Sequence, residues 1–339
     1  MENKFSIATF NLLNLNLPGL KMYGRHGWTQ EKYDQKIDWT SRLISQLKAD
    51  VWGFQELWHY QALEAVFDAA NLNHDYQLLA PAEHDGDGII CAGAVRKGIL
   101  ADEPQWIKEF PDNFLLKSSG SDRQTPDISV AIDSFSRPIL HFKVRPREDS
   151  QVISVYVAHL KSKRPTNIDD EDWYENTLHK KHATALGSAI STIRRTAEAT
   201  ALRMIITEQI KGDENPIVVL GDLNDSQHSN TINILSEQPK YLIGGSTGGR
   251  DTALYTIETL QEYRSLRDVY YTHIYQNTLE SLDHILVSQE FYDNSRKRIW
   301  AFEGMELIND HLNEENHKEI GTTDHGVVKA TFKYAPYRN

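Results

Sequence analysis

The sequence has almost no cysteine and no long apolar run, and both absences narrow the choice of protein class. Cys91 is the one cysteine among 339 residues. A lone thiol cannot close an internal disulfide or supply a zinc site built from several cysteines. No apolar stretch approaches the ~18 residues that a transmembrane helix needs. The first residues also lack the basic, apolar and small-residue regions of a signal peptide, so we expect a soluble, cytoplasmic protein.

The chain also lacks an excess of positive charge. Its 36 Lys and Arg residues and 48 Asp and Glu residues give a formal net charge of −12. This balance disfavours a basic nucleic-acid wrapper and a polybasic membrane binder. A locally basic surface or a bound divalent metal would still allow an acidic protein to act on a polyanion. Hydrophobic residues make up 40% of the chain, which is enough for a sizeable core.

The apolar patterns predict groups of strands interrupted by a few helices along the chain. We expect strands at 5–10, 51–55, 88–95, 127–133, 138–144, 151–159, 216–220, 282–288 and 327–332, and helices at 31–48, 57–70, 182–210 and 229–237. Strands grouped in meanders with a few helices between them predict two sheets with helices outside. Because no segment has the length and composition of a linker, we expect one domain over residues 1–339.

Polar side chains lie at the ends of these predicted strands. They are Asn11, Glu56, His159, Asp222, Asn224, Asp283, Asp324 and His325. Strand ends at one edge of a sheet bring together residues that are distant in sequence. Carboxylates with an amide suit a hard divalent ion such as Mg²⁺ or Mn²⁺, and histidines titrate near neutral pH. Such a set could hydrolyse a phosphodiester by stabilising phosphoryl charge and activating water.

Six short motifs containing these residues resemble, in their order, the motifs of the endonuclease/exonuclease/phosphatase superfamily. They are Thr9-Phe-Asn11, Phe54-Gln-Glu56, Ala158-His-Leu160, Gly221-Asp-Leu-Asn224, Ser281-Leu-Asp283 and Thr323-Asp-His325. The superfamily includes deoxyribonuclease I, apurinic endonucleases, inositol polyphosphate 5-phosphatases and neutral sphingomyelinases. The resemblance covers residues from about 5 to 334. It implies an α/β (α+β) fold, a four-layer sandwich of two packed mixed sheets flanked by helices.

The resemblance also implies roles for the motif residues. Asn11, Glu56 and Asp324 would lie on the metal side, with Mg²⁺ or Mn²⁺ as one or two ions. His159, Asp222, Asn224, Asp283 and His325 would be catalytic, with Asp283 paired to His325. Apurinic endonucleases have a tyrosine in place of His159 and a carboxylate in place of Leu13, so the resemblance to that group is weaker. The segment from Tyr156 to Lys163 looks most like bacterial nuclease relatives.

Four basic residues are candidates for substrate contacts. Arg137 lies in an Arg-Pro turn similar to turns that bring an arginine to the phosphate in the superfamily, although a plain surface turn explains it equally well. Lys161, Lys163 and Arg164 directly follow His159, and we expect either a polyanion contact or a solvated basic run there.

Three functions compete for this sequence. The first is a divalent-metal-dependent nuclease that hydrolyses nucleic-acid phosphodiesters. The second is a phosphatase or phosphodiesterase that acts on a lipid headgroup or another small phosphoester. The third is a catalytically silent binding protein with this fold, which the complete set of residues disfavours. The first two share their catalytic residues, so only the loops at 18–28, 161–181 and 244–255 could separate them.

Overall fold

The computed structural model describes residues 3–81, 84, 86–119, 126–212, 215–237, 252–265 and 270–337. Strands β1 to β16 are, in chain order, Lys4–Leu15, Val51–Leu57, Tyr76–Leu79, Ile90–Arg96, Gln105–Glu109, Leu116–Ser118, Ile128–Val130, Ser134–Val144, Ile153–His159, Ile217–Asp222, Tyr255–Thr256, His273–Tyr275, Thr278–Glu280, Asp283–Val287, Trp300–Ile308 and Val327–Tyr334. Helices α1 to α6 are Gln30–Leu47, Tyr60–Ala69, Asn176–His179, Ala183–Gly212, Asn230–Ser236 and Ile257–Glu262. Short 3₁₀ helices are present at Lys180–His182, Gln289–Phe291 and Asp310–Asn313.

Two six-stranded sheets form the body of the fold. The first has the order β15-β16-β1-β2-β4-β3, and the second has the order β11-β14-β10-β9-β8-β5. Both sheets are mixed, since β1 pairs in parallel with β2 but antiparallel to β16, and β10 pairs in parallel with β9 but antiparallel to β14. Two further pairs, β6-β7 and β12-β13, form separate hairpins.

The sheets pack on each other, and the helices cover their outer faces. Ile7 and Val51 of the first sheet belong to the same buried cluster as Val157 and Leu220 of the second. Gly53 allows this close approach, because a Cβ there would lie 2.8 Å from the Leu220 side chain. Buried residues of α1 and α2 pack on the other face of the first sheet, and those of α4 and α5 pack on the second. The four-layer sandwich expected from the sequence is confirmed.

The predicted elements differ from the structure mainly at their ends and at the sheet edges. Strand β2 continues through Leu57, so α2 begins at Tyr60 and not at residue 57. Strand β15 has no counterpart in the prediction. It is an edge strand with mostly part-exposed side chains, and its register shifts between Phe302 and Gly304, which breaks the alternation that marks a strand. Among the described residues, no helix is both long and apolar enough to cross a bilayer.

Candidate active site

The strand register explains why the motif residues meet. Within the second sheet, Asp222 lies opposite His159 of β9 on one side and opposite Asp283 of β14 on the other. In the first sheet, the ends of the parallel strands β1 and β2 lie at the same edge as the start of the antiparallel strand β16. The two sheets are packed face to face, so both sets of strand ends border one cleft.

Asn11 and Glu56 connect the first sheet to the second. Both lie within strands rather than after them, and the pairing of β1 with β2 becomes irregular just beyond Asn11. Glu56 has a left-handed backbone, with φ of 63°, which is uncommon for a residue with a side chain and is typical of functional sites. The Asn11 Nδ2 group donates to Glu56 Oε1 at 3.3 Å and to Asp222 Oδ2 at 3.0 Å.

Asp222 is the central carboxylate of the cleft. Its Oδ2 atom lies 3.4 Å from His159 Nε2 and 3.7 Å from His325 Nε2. The other oxygen, Oδ1, accepts the backbone N–H of Asn224 at 3.0 Å. The Asn224 side chain in turn donates to the Leu160 carbonyl at 3.0 Å, which holds the loop after β10 against the end of β9.

Asp283 and His325 form the pair that the resemblance implies. The distance between His325 Nδ1 and Asp283 Oδ2 is 2.8 Å, and both side chains are buried. The Thr323 hydroxyl donates to the Asn11 carbonyl at 2.9 Å and accepts the backbone N–H of His325 at 3.2 Å. Thr323 therefore holds His325 against the end of β1. The sequence of the last motif alone did not predict this contact.

The two histidines of the cleft have pKa values shifted in opposite directions. Burial lowers the pKa of His159 well below its usual value, and the charges of Arg137 and His325 lower it further. Burial also acts to lower the pKa of His325, but the charges of Asp283 and Asp222 outweigh it and raise that pKa well above the usual value. His159 is therefore neutral and His325 is cationic near neutral pH. Burial raises the pKa of Asp222 to about 7, although the His325 charge opposes this.

Glu56 and Asp324 are the more accessible carboxylates, each with 17% of its side chain exposed. Burial and the nearby charge of Asp324 raise the pKa of Glu56. Burial also acts to raise the pKa of Asp324, but His325 and Lys318 outweigh it and lower the pKa to about 2. The Lys318 Nζ atom lies 2.7 Å from Asp324 Oδ2.

These residues fit a hard divalent cation. Asn11, Glu56 and Asp324 offer carboxylate and amide oxygens, the donors that Mg²⁺ and Mn²⁺ prefer. A cation there would also offset the repulsion that raises the pKa of Glu56. A second group, Asp222, Asp283 and His325, has ligand atoms within 4.8 Å of one another. Asp222 and Asp283 are almost completely buried, whereas the Glu56 and Asp324 carboxylates are partly open to solvent, so these two suit a metal better.

The four basic candidates have different surroundings. Arg137 Nη1 donates to the Leu160 carbonyl at 3.2 Å, and its charge lowers the pKa of both Glu56 and His159, which places it beside the cleft. Lys161 is partly buried, and its backbone N–H donates to Glu198 Oε2 at 2.7 Å. Lys163 is ion-paired with Glu280 at 2.6 Å. Arg164 is exposed.

Lys36 was missed at the sequence level. It lies on α1 with only 1% of its surface exposed, and its Nζ group donates to the Thr322 carbonyl at 3.3 Å. Burial lowers its pKa to about 8, although the charges of Asp324 and Glu56 oppose this. A lysine on a helix is normally solvated. The one available signal was its spacing from Leu43 and Leu47, which places Lys36 on the buried face of the helix.

Comparisons with known proteins agree with the fold described above. Residues 157–325 match the model of the Endonuclease/Exonuclease/phosphatase family. A sequence comparison with curated proteins gives no match. The structure of an endonuclease/exonuclease/phosphatase from Bacteroides vulgatus is similar with a TM-score of 0.55 at 14% identity, over 98% of this chain and 100% of that chain.

Two further solved structures share the fold. The human Nocturnin catalytic domain with bound sulfate gives a TM-score of 0.57 at 14% identity, over 99% of this chain and 96% of that one. Truncated TDP2 from Caenorhabditis elegans gives a TM-score of 0.54 at 11% identity, over 98% of each chain. The family match and the shared fold confirm that the chain resembles the endonuclease/exonuclease/phosphatase family, whose name describes enzymes that hydrolyse phosphoric esters.

Proposed function

We propose that the protein is a divalent-metal-dependent phosphodiesterase that hydrolyses nucleic acid. The observation that carries this proposal is the position of Asp222, which lies within 3.0 to 3.7 Å of the side-chain nitrogens of Asn11, His159 and His325. Hydrolysis of a phosphodiester needs a group that takes a proton from water and donors that stabilise charge on the phosphoryl oxygens. The cleft has both kinds of group within hydrogen-bonding reach of one small volume.

Each residue has a distinct part in the proposed reaction. Asp222 orients the attacking water and accepts its proton. His325, kept cationic by Asp283, faces the same volume and stabilises the charge that develops on the phosphoryl group. His159 and Asn11 donate hydrogen bonds without adding charge. A divalent cation held by Asn11, Glu56 and Asp324 would neutralise the phosphoryl oxygens and polarise the P–O bond.

Asn224 acts as a positioning residue in this proposal. It has a left-handed backbone with φ of 55°, and its N–H and side chain bridge Asp222 to the Leu160 carbonyl. These bonds fix the direction of the Asp222 carboxylate, which must point into the cleft to reach a water molecule.

The cations beside the cleft support nucleic acid as the substrate. Arg137 lies beside the cleft and Arg164 is exposed on the segment that follows His159, so a strand that continues beyond the scissile phosphate would meet positive charge. The alternative is a small phosphoester or a lipid headgroup. One observation favours it: Lys163 is neutralised by Glu280 and also lies 3.6 Å from Asp225, which leaves fewer cations for a long polyanion.

We also propose that residues 1–339 act as one domain. The two sheets share a buried cluster, and both contribute side chains to the cleft. Cutting the chain between the sheets would therefore divide the site as well as the core.

The test is a panel of phosphoesters assayed with Mg²⁺, with Mn²⁺ and with excess chelator. The panel contains supercoiled plasmid, single-stranded DNA, RNA, an activated bis-phosphodiester and inositol phosphates. We expect cleavage of a nucleic acid that requires metal and is absent from an Asp222→Asn preparation purified in the same way. Cleavage of inositol phosphates alone would favour the small-phosphoester alternative, and undiminished turnover in chelator would contradict the metal dependence.

A further inference from the structure

A two-residue hairpin turn lies in the segment between β1 and α1. Met22 and Arg25 exchange backbone hydrogen bonds of 3.0 and 2.9 Å, and the residues between them, Tyr23 and Gly24, have φ of 52° and 73°. Positive φ at both central residues is typical of a type I′ turn, which favours Asn, Asp or Gly at its first position. A tyrosine is strained there, so the turn itself does not account for this residue.

The Tyr23 ring is exposed but fixed in place. It is 64% exposed, and its edge-to-face contact with Trp58 has ring centroids 5.0 Å apart at 80°. Trp58 is buried and donates from Nε1 to Asn14 Oδ1 at 2.9 Å. The Asn14 backbone N–H then donates to Glu56 Oε2 at 3.0 Å. This chain of contacts ties the position of the exposed ring to the carboxylate at the centre of the proposed metal side.

The contacts through Trp58 and Asn14 place the phenol beside the cleft, and the electrostatic surroundings agree with this position. Although most of the ring is exposed, partial burial of the hydroxyl end raises the pKa of Tyr23 to about 12; the charge of Glu56 raises it further, and the charges of Arg137 and Arg164 lower it. The Tyr23 hydroxyl is therefore protonated at neutral pH, and the ring is connected through Trp58 and Asn14 to the Glu56 carboxylate. An exposed aromatic ring beside a groove that carries positive charge is an arrangement by which proteins stack single-stranded bases.

We propose that Tyr23 is a specificity residue that stacks on a nucleobase adjacent to the scissile phosphate. This inference rests on the proposed function, because it needs a phosphodiester bound in the cleft. The Trp58 contact holds the ring before substrate binds, so stacking costs little additional ordering of the side chain. The phosphate next to that base would lie toward Arg137 and Arg164.

Two substitutions separate the ring from the turn. Tyr23→Asn removes the ring but keeps a residue that the first position of a type I′ turn favours. Tyr23→Phe keeps the ring and removes the hydroxyl. Tyr275→Asn is the matched control, because Tyr275 is 62% exposed and precedes another two-residue turn, Gln276-Asn277, with φ of 48° and 64°. Thermal unfolding of all three variants establishes that they are folded.

The substrates are two short single-stranded oligonucleotides of the same length, one with all its bases and one with abasic residues on both sides of a single phosphodiester. We expect wild-type protein to cleave the complete strand about tenfold more efficiently at that bond, by kcat/KM, and to bind it about tenfold more tightly in chelator. Tyr23→Asn should lose both preferences, while Tyr23→Phe and Tyr275→Asn should keep them.

The binding assay keeps the two proposals distinguishable. If wild-type protein cleaves neither strand and no nucleic acid of the panel, but binds the complete strand better through Tyr23, the proposed function is wrong and the stacking residue stands. If cleavage occurs and Tyr23→Asn retains the preference for bases, the stacking proposal is overturned and the proposed function stands. If wild-type protein shows no preference for bases in either assay, the stacking proposal is overturned.

Discussion

The two sides of the cleft differ in exposure and in how their carboxylates are bonded. On the side that includes Glu56 and Asp324, the carboxylates are partly open to solvent, and nearby lysines balance their charge. On the side formed by β9, β10 and β14, Asp222 and Asp283 are almost completely buried and face imidazole nitrogens. Accessible carboxylate oxygens suit metal binding, whereas buried carboxylates paired with histidines suit proton transfer.

The comparison teaches that burial alone does not set the chemistry of a polar residue. His159 and His325 are both buried, yet their pKa values shift in opposite directions. Both imidazoles lie near Asp222, but His325 also has Asp283 Oδ2 within 2.8 Å of its Nδ1 atom. His159 instead has the charges of Arg137 and His325 nearby, and its buried Nδ1 atom has no hydrogen-bond partner among the described residues. A second carboxylate, hydrogen-bonded to the ring, therefore decides which imidazole carries charge.

The largest effect is expected on the buried side. Asp222→Asn and His325→Ala should each lower kcat by roughly 10²-fold or more, because each removes a positioned group that must exchange or stabilise charge. Added metal should not restore the rate. Steady-state kinetics on the best substrate of the panel measures this, and Asp38→Asn on the exposed face of α1 is the control for loss of a carboxylate. A variant with near-normal kcat at any metal concentration would remove its residue from the mechanism.

Loss of a carboxylate on the side that includes Glu56 and Asp324 should change the metal requirement more than kcat. Glu56→Gln should raise the metal concentration needed for half-maximal activity by about tenfold or more, because one charged ligand is lost. Saturating metal should recover much of kcat, in contrast to Asp222→Asn. Metal titrations of activity check this, with Glu306→Gln on edge strand β15 as the remote control. Identical metal titrations for Glu56→Gln and wild-type protein would contradict the assignment of the two sides.

The sequence predicts much of the arrangement of residues on the two sides of the cleft, because the motifs lie at the ends of strongly apolar, buried strands. The pattern Pro216-Ile-Val-Val-Leu220 identifies β10, and the strand register then fixes the neighbours of Asp222. The resemblance supplies the pairing of Asp283 with His325, and the structure brings these two residues together.

Other features depend on tertiary contacts that a local pattern does not specify. The spacing of Lys36 places it on the buried face of α1, but its bond to the Thr322 carbonyl follows only from the packing of the helix beside that segment. Lys163 looks like part of a basic run, but Glu280 neutralises it from a hairpin that lies more than a hundred residues away in sequence. Charge pairing between distant segments follows from the packing of the whole chain, so composition and spacing cannot reveal it.

A smaller effect is expected from the basic segment after β9. If the substrate is a polyanion, Arg164→Ala should lower the slope of log K against log salt concentration by about 0.7 to 0.9, the value for one lost phosphate contact. Lys163→Ala should change the slope less, because Glu280 already neutralises Lys163. Both substitutions should leave turnover of a small activated diester nearly unchanged. Equal losses on the small and the large substrate would instead place the segment within the catalytic cleft.

The smallest effect on activity is expected from a substitution of His141, which lies outside the cleft. This residue shows how burial shifts the pKa of a histidine that has no paired carboxylate. Its ring stacks on Tyr156, with centroids 4.3 Å apart, and its Nε2 atom is buried without a hydrogen-bond partner among the described residues. Burial lowers its pKa to about 4; Lys143 adds to this and Asp102 opposes it. The unfolded chain therefore binds a proton at His141 more readily than the folded protein does. The contribution of neutral His141 to the free energy of unfolding is complete above pH 6.5, and it is lost as the pH falls toward 4. Between pH 7 and pH 5 this should cost at most about 3 kcal/mol of unfolding free energy.

His141→Phe keeps a ring against Tyr156 and should make the loss between those two pH values smaller than in wild-type protein, with kcat unchanged. Urea unfolding at both pH values measures the difference, and His228→Phe is the control because His228 is exposed in the folded protein. If both variants lose as much stability as wild-type protein, protonation of His141 is not what the acid acts on.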